Sequence, residues 1–117
     1  MKTFLYILKG PDITELFPTL DAQNAYMAAW GSWIKNMMEK RVFVSGLPLM
    51  RGGRHITQAG FTDYSPTLTD TCMIGYGFLA TENIDEAAAL LADSPIKEVD
   101  STVELYEVAG MPANVMQ

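Results

Sequence analysis

The chain has 117 residues, of which 49% are hydrophobic and 19% charged. This composition is typical of one packed domain and too apolar for a disordered chain. Fourteen acidic and eight basic residues give a net charge of -6, which repels nucleic acid and anionic lipid headgroups and excludes both as expected partners. No apolar run approaches the roughly 18 residues that span a bilayer, and the single Cys72 cannot form a disulfide within the chain. We expect a cytoplasmic protein with one domain over residues 1–111 and a C-terminal tail over 112–117.

The first part of the chain is predicted to form a strand, a long helix and a second strand. Residues 3–8, TFLYIL, are aromatic and aliphatic, which favours a strand. From Asp21, the predicted N-cap, apolar residues recur at helical spacing, and Arg41 is predicted to close the last turn, where a cation suits the helix dipole. Residues 42–49, VFVSGLPL, predict a strand that is at an edge or bulged, because Pro48 cannot donate a ladder hydrogen bond.

The middle of the chain is predicted to return as a hairpin. Gly52 and Gly53 suit a tight turn because glycine tolerates positive φ. Residues 54–62 would then form the third strand, paired with the second, and alternation places His55 and Phe61 on the same face.

The second half repeats the order strand, helix, strand. Residues 72–80, CMIGYGFLA, are apolar at both odd and even positions, which indicates a strand buried on both faces. Asn83 and Glu86 have the spacing of a capping box at a helix start, and Pro95 ends that helix. Residues 102–108 alternate and predict the last strand.

This order, βαββ(loop)βαβ, predicts an α+β fold in which two helices pack on one face of an antiparallel sheet. Two helices cover one face only, yet the strands carry apolar residues on both faces. The second face must be hidden from water. We therefore expect a homodimer that packs sheet to sheet, since the unburied side chains represent on the order of 10 kcal/mol against a comparable cost of association.

The chain resembles the YCII-related family, and within it the branch named for an Asp-Gly-Pro-Phe signature. The resemblance is carried by TFLYIL, by the aromatic first helix, by VSGLPL and above all by IGYGFLATENIDEAAALLADSP. It implies a dimeric α+β barrel of ferredoxin-like topology.

The sequence also departs from that family at two places. The signature is reduced to DYSP at residues 63–66, which keeps the aspartate alone. The family's proposed dyad joins a histidine on the first helix to an aspartate near the end of the second. Asp93 matches the aspartate, but Ala29 and Trp30 stand where the histidine would be, so the dyad is absent.

The catalytic hypothesis therefore rests on a different histidine. His55, with an ordinary pKa near 6.5, suits a general base, Asp63 could orient it, and Arg54 could hold substrate charge. Each residue also has a structural alternative. His55 could be a hydrogen-bonded strand residue, Asp63 could begin an Asx-turn before Pro66, and the arginine could belong to a solvated hairpin tip. With Arg51, Arg54 could also bind a carboxylate or phosphate beside the glycine turn.

The ligand hypothesis rests mainly on aromatic residues. Tyr26 and Trp30 could line a pocket for an aromatic ligand, or they could be core residues at helical spacing. Tyr64, Tyr76 and Asp93 complete the candidate ligand-binding set.

Gly75 and Gly77 leave one patch of the sheet without side chains, which either admits a helix or leaves a cavity. One histidine and one cysteine provide no ligand pair at a known spacing, and no Asp-x-Asp cluster occurs, so neither a metal nor a cofactor is expected.

Two classes of function remain open from the sequence. The first is a small-ligand-binding barrel, with acid-base activity of the lyase, isomerase or hydrolase kind if it is an enzyme. The second is a non-catalytic sensor or protein-interaction module.

Overall fold

The computed structural model describes residues 1–110. Its elements are, in chain order, β1 (Lys2–Gly10), α1 (Ile13–Leu16), α2 (Leu20–Glu39), β2 (Phe43–Pro48), β3 (Gly53–Thr57), β4 (Gly60–Tyr64), β5 (Cys72–Thr81), α3 (Ile84–Ala92), a 3-10 helix (Pro95–Glu98) and β6 (Thr102–Glu107). The predicted tail, residues 112–117, lies outside the described residues, so the domain boundary at 111 stays a prediction. Over residues 1–110, none of the helices combines the length and apolar character needed to cross a membrane.

Four strands form an antiparallel sheet in the order β2-β5-β1-β6. With α2 and α3 packed on one face, this is the ferredoxin-like α+β fold that the element order predicted. β2 lies at an edge of the sheet, as Pro48 indicated. Its ladder with β5 also carries a register shift between Phe43 and Ser45.

The ends of α2 differ from the prediction. Its N-cap is Thr19, whose side-chain oxygen accepts a hydrogen bond from the backbone N–H of Ala22 at 3.1 Å. Asp21 therefore lies in the first turn, where its charge suits the helix dipole. Arg41 lies beyond the C-cap Lys40 with φ of 61°, a left-handed conformation that ends the helix. The predicted roles of Asp21 and Arg41 are wrong by two residues.

The predicted cap of α3 is confirmed. The Asn83 side chain accepts from the backbone N–H of Glu86 at 2.8 Å. The Glu86 carboxylate reaches back to the N–H of Glu82 at 3.3 Å rather than to that of Asn83, so the capping box is displaced by one residue.

The predicted hairpin between the second and third strands is wrong. β2 pairs with β5 in the main sheet, while β3 and β4 pair with each other in a separate ribbon. The turn lies between Thr57 and Gly60, inside the stretch that was predicted as one strand. Gly52 has φ of 92°, so the predicted positive φ is present there, but that residue immediately precedes the ribbon instead of turning β2 back on itself.

The core lies between the sheet and the two long helices. The buried cluster contains Tyr6, Trp33, Met37, Leu79 and Leu91. The Trp33 indole N–H donates to the carbonyl of Leu90 at 3.1 Å and so joins α2 to α3.

Candidate functional site

A cavity of about 380 Å³ opens between the sheet and the helical layer. It lies beside β1, β2 and β5 on one side and α2 on the other, and α1 closes one end. Its wall is overwhelmingly apolar, with Leu8, Ile34 and Ile74 among the lining residues. Apolar clefts and cavities of this size are typical of sites for small organic molecules.

Glycines border this volume. Gly75 in β5 and Gly46 in β2 both line it. A Cβ on Gly46 would lie 2.9 Å from the carbonyl oxygen of Tyr76 and 3.1 Å from the Tyr6 hydroxyl, so this glycine allows close packing beside the cavity. In α2, Gly31 lines the cavity as well, and a Cβ built on it would meet no atom within 4 Å. The helix therefore leaves a side-chain position empty toward the cavity, although glycine costs a helix about 1 kcal/mol relative to alanine.

Gly77 has the opposite role. A Cβ on Gly77 would overlap the ring of Tyr6, which lies across the strand and meets the Trp33 ring edge to face at 6.0 Å between centroids. The sequence left open whether these glycines admit a helix or leave a cavity. Gly75 borders a cavity, and Gly77 makes room for a tyrosine ring rather than for a helix.

Two tyrosines bring polar atoms to this apolar wall. Burial raises the pKa of Tyr6 to about 12, and burial also raises the pKa of Tyr26. Both phenols are therefore protonated at neutral pH and able to donate hydrogen bonds. Within residues 1–110, none of the side-chain hydrogen bonds uses the Tyr6 hydroxyl, which leaves that donor for a bound molecule.

Arg51 supplies the positive charge at the edge of the cavity. Its guanidinium donates to the carbonyls of Gly10 at 3.3 Å, Thr67 at 2.5 Å and Asp70 at 2.7 Å, and its Nε is buried without a partner among the described residues. Arg51 thereby ties the 65–71 loop to the end of β1.

Asp12 is the acidic residue of the lining. It caps α1, and its carboxylate accepts from the Thr14 hydroxyl at 2.6 Å and from the Thr14 N–H at 3.1 Å. These hydrogen bonds, and the charge of Arg51, lower the pKa of Asp12. It is a stable carboxylate at neutral pH and a weak base.

The structure divides the sequence-predicted residues between separate places. Tyr26, Trp30 and Tyr76 line the cavity. Tyr26 and Trp30 do so from α2, and their rings meet edge to face at 6.4 Å. Tyr76 borders the cavity through β5, while the alternation of that strand places its ring with Phe78 on the other face of the sheet.

The other candidates lie on the β3–β4 ribbon, away from the cavity. Arg54 pairs with Asp63 at 3.1 Å, and its guanidinium lies 4.7 Å from the ring centre of Phe61. His55 stacks on Tyr64 with ring centres 5.5 Å apart. Because Arg54 is opposite Asp63 and His55 is opposite Thr62 in the ladder, the His55 and Asp63 side chains occupy opposite faces.

The predicted orientation of His55 by Asp63 is therefore absent within one chain, and every residue of both ribbon strands is exposed. A catalytic role for His55 stays a prediction.

Asp93 is the C-cap residue of α3 and pairs with Lys97 at 3.0 Å. Its side chain is 83% exposed and does not line the cavity. Over residues 1–110, no three His, Cys, Asp or Glu side chains are placed to share a metal ion.

The sheet face opposite the helices is apolar at its centre. Leu5 and Ile7 of β1 lie beside Phe78 and Tyr76 of β5 there. At one side, the Lys9 ammonium pairs with the Glu104 carboxylate at 2.7 Å, and the Tyr106 hydroxyl donates to the same carboxylate at 2.6 Å. Among the described residues, no helix or strand covers this surface, which we call the open face.

Sequence reasoning missed Tyr6, Asp12 and Gly31 as residues of the cavity, and it named Arg51 only as a partner of Arg54 in binding an anion. The alternation of β1 places Tyr6 on the helix side, and helical spacing places Gly31 on the α2 face of Met27 and Ile34, so both could have been found. The positions of Asp12 and Arg51 depend on how α1 and the loops fold back, which no local pattern indicates.

No protein-family model matches the sequence, and no curated protein matches it either, so membership of the YCII-related family stays a prediction. Among solved structures, the chain is similar to 5-chloro-2-hydroxyhydroquinone dehydrochlorinase (TftG) from Burkholderia phenoliruptrix AC1100, in complex with 2,5-dihydroxybenzoquinone. The TM-score is 0.52 with 15% sequence identity, over 92% of this chain and 95% of that chain. At this identity the likeness shows the ferredoxin-like fold.

Proposed function

We propose that this protein binds a small planar ring carrying oxygen substituents in the cavity between the sheet and α2. The observation that carries the proposal is the cavity itself: about 380 Å³ of apolar space, more than twice the roughly 150 Å³ that suffices for benzene. Tyr26 and Trp30 offer ring edges and faces for an aromatic or quinonoid ligand.

The polar groups indicate where the oxygen substituents would lie. The protonated Tyr6 hydroxyl donates a hydrogen bond to one oxygen, and the guanidinium charge of Arg51 at the edge of the cavity favours a second, anionic oxygen. An apolar wall with one such donor and one positive charge favours a phenol, a hydroxyquinone or an aromatic acid over a sugar or a phosphate ester. The ligand of the dehydrochlorinase, 2,5-dihydroxybenzoquinone, belongs to this chemical class and supports the choice.

Binding is better supported than catalysis. Of the titratable groups that line the cavity, Tyr6 and Tyr26 have raised pKa values and Asp12 a lowered one, so all three shifts lead away from neutrality. A general acid or base works best when its pKa is near the operating pH. Acid-base chemistry of the lyase, isomerase or hydrolase kind would need a further group, for which His55 is the candidate from the sequence.

We further propose that the protein acts as a homodimer joined through the open face. The charge distribution supports this arrangement: six acidic residues and Lys97 between Glu82 and Asp100 account for -5 of the net charge of -6. This segment includes α3 and the 3-10 helix, on the far side of the sheet. Two copies can therefore bring their nearly neutral open faces together while the acidic layers point apart.

Filling the cavity from Gly31 tests the ligand proposal. Gly31→Leu places a side chain in the empty volume and improves helix propensity, so the variant is expected to fold while binding of 2,5-dihydroxybenzoquinone and hydroquinone, measured by titration calorimetry, falls at least tenfold. Gly31→Ala is the matched control, because it gains the same helix propensity with one methyl group. Binding that is equal in both variants, or absent from the unmodified protein, contradicts the proposal. A non-catalytic protein-interaction module would then be favoured.

A further inference from the structure

The β3–β4 ribbon is an arm that this chain leaves uncovered. Ile56 is 80% exposed and Phe61 62% exposed, and the two lie directly opposite each other in the ladder. They form one apolar surface together with the aliphatic part of Arg54. A two-stranded ribbon by itself is marginally stable in water, so an ordered ribbon with its apolar surface exposed indicates a docking partner.

The root of the arm is fixed. Arg51 holds three backbone carbonyls immediately before the ribbon, and a Cβ on Gly52 would lie 2.7 Å from the carbonyl oxygen of Tyr64, so the two ends of the ribbon are closely packed. A hinge at this place would have to break these contacts. None of the ribbon residues lines the cavity of their own chain, which argues against a lid that closes over its own site.

A second apolar surface without cover surrounds the mouth of the cavity. Leu47 is 64% exposed, Met27 is 52% exposed and Leu49 is 38% exposed, and all three line the cavity. Leu47 is opposite Tyr76 in the ladder, so its side chain lies on the open face at the β2 edge of the sheet, while Met27 lines the cavity from α2. Through Leu47 the rim continues from the open face. The arm and the rim are thus two unmatched apolar surfaces on one chain.

We propose that the arm of each chain packs on a second copy and covers the mouth of that copy's ligand cavity. In a twofold dimer both arms are related by the same axis, so each cavity receives one arm. The charges permit this contact: Arg54 and Asp63 neutralise each other on the arm, and Met27, Leu47 and Leu49 carry none. The inference rests on the proposed dimer, and it makes each binding site incomplete without the partner.

Photo-cross-linking tests this arrangement directly. Phe61→p-benzoylphenylalanine puts a cross-linker on the arm, and mixing ¹⁵N-labelled with unlabelled chains separates contacts between chains from those within one chain. We expect mixed-isotope cross-links to the peptides that contain Leu47 and Leu49 or Met27. Leu20→p-benzoylphenylalanine is the control, because Leu20 is 69% exposed at the start of α2. Cross-links that stay within one chain, or that join chains only elsewhere, overturn the proposal.

A charge on the arm provides the second test. Ile56→Asp combined with Phe61→Asp changes only exposed side chains, so circular dichroism is expected to be unchanged while the dimer dissociation constant from sedimentation rises at least tenfold. Leu20→Asp is expected to leave it unchanged. The proposed packing of the arm is refuted if the double variant dimerises as before. It is also refuted if the unmodified protein sediments as the single 12.9 kDa chain. Ligand binding by the Gly31 variants is measured separately, so failure of the arm and failure of the cavity can be distinguished.

Discussion

Gly77→Ala probes the contact that positions the Tyr6 hydroxyl in the cavity. The added methyl group would overlap Cζ, Cε2 and Oη of Tyr6. These atoms are the rigid end of a ring that is 3% exposed and braced by Trp33, so no small rotation relieves the overlap. The ring must leave its place or the strands must separate.

The cost follows from the competing contributions. Overpacking of a closed core site costs about 1–3 kcal/mol, and the lost edge contact with Trp33 adds about 1 kcal/mol. Replacing a strand glycine by alanine returns about 0.5–1 kcal/mol of backbone entropy. We expect the free energy of unfolding to fall by about 2 kcal/mol, measured by urea denaturation of both proteins at the same protein concentration.

Two further variants make the reasoning refutable. Gly75→Ala is the matched control, since its new Cβ would lie 3.3 Å from the mobile Cδ1 of Leu8, and its expected cost is below about 1 kcal/mol. Tyr6→Leu in the Gly77→Ala background removes the overlapping ring atoms and is expected to cost less than the sum of the single changes. Equal losses for Gly77→Ala and Gly75→Ala, or strict additivity with Tyr6→Leu, would refute the account.

Three other predictions concern Tyr6, Arg51 and Asn83. Because burial raises the pKa of Tyr6 from 10.0 to about 12, the unfolded chain releases this proton first. Stability is therefore full below pH 10 and falls as pH rises toward 12, by up to about 3 kcal/mol. Tyr6→Phe should remove this part of the alkaline loss and weaken hydroquinone binding about fivefold. Arg51→Lys should leave carbonyls of the 65–71 loop without donors, lower stability by about 2 kcal/mol and speed amide hydrogen exchange in that loop, and unchanged exchange would contradict the proposed clamp. Asn83→Ala should lower the free energy of unfolding by about 1 kcal/mol, whereas Asn83→Asp, which can still cap, should change it little.

The main sheet and its helices were predictable because their signals are local. Helical periodicity and strand composition placed every element of the four-stranded sheet, and the edge position of β2 followed from the missing N–H of Pro48. The errors are of one or two residues at helix ends. Thr19 rather than Asp21 is the N-cap because α2 begins at Leu20. The start of α2 depends on how the chain leaves α1.

The separate ribbon was not predictable from the same signals. Gly52 and Gly53 mark a change of direction, but nothing local shows whether the strand that follows pairs with β2 or with a later segment. β2 pairs with β5 on one side, a pairing between distant parts of the chain, and its other side carries no strand among residues 1–110. His55 was assigned to the third strand and Asp63 to the loop that follows it, where a flexible carboxylate could have turned toward the imidazole. The actual ladder places them on opposite faces.

The glycines show why the candidate site itself required the structure. Gly31, Gly75 and Gly77 look alike in the sequence, since each removes a side chain from an apolar element. At Gly77 the space is filled by Tyr6, so the glycine serves packing, and at Gly75 the Leu8 side chain borders the space, whereas a Cβ on Gly31 would meet no atom within 4 Å and Gly31 lines the cavity. Unfilled apolar volume forfeits dispersion contacts and lowers stability. A molecule that fills it restores those contacts only in the folded state, so ligand binding must raise the apparent stability, and Gly31→Leu should gain part of that stability without any ligand.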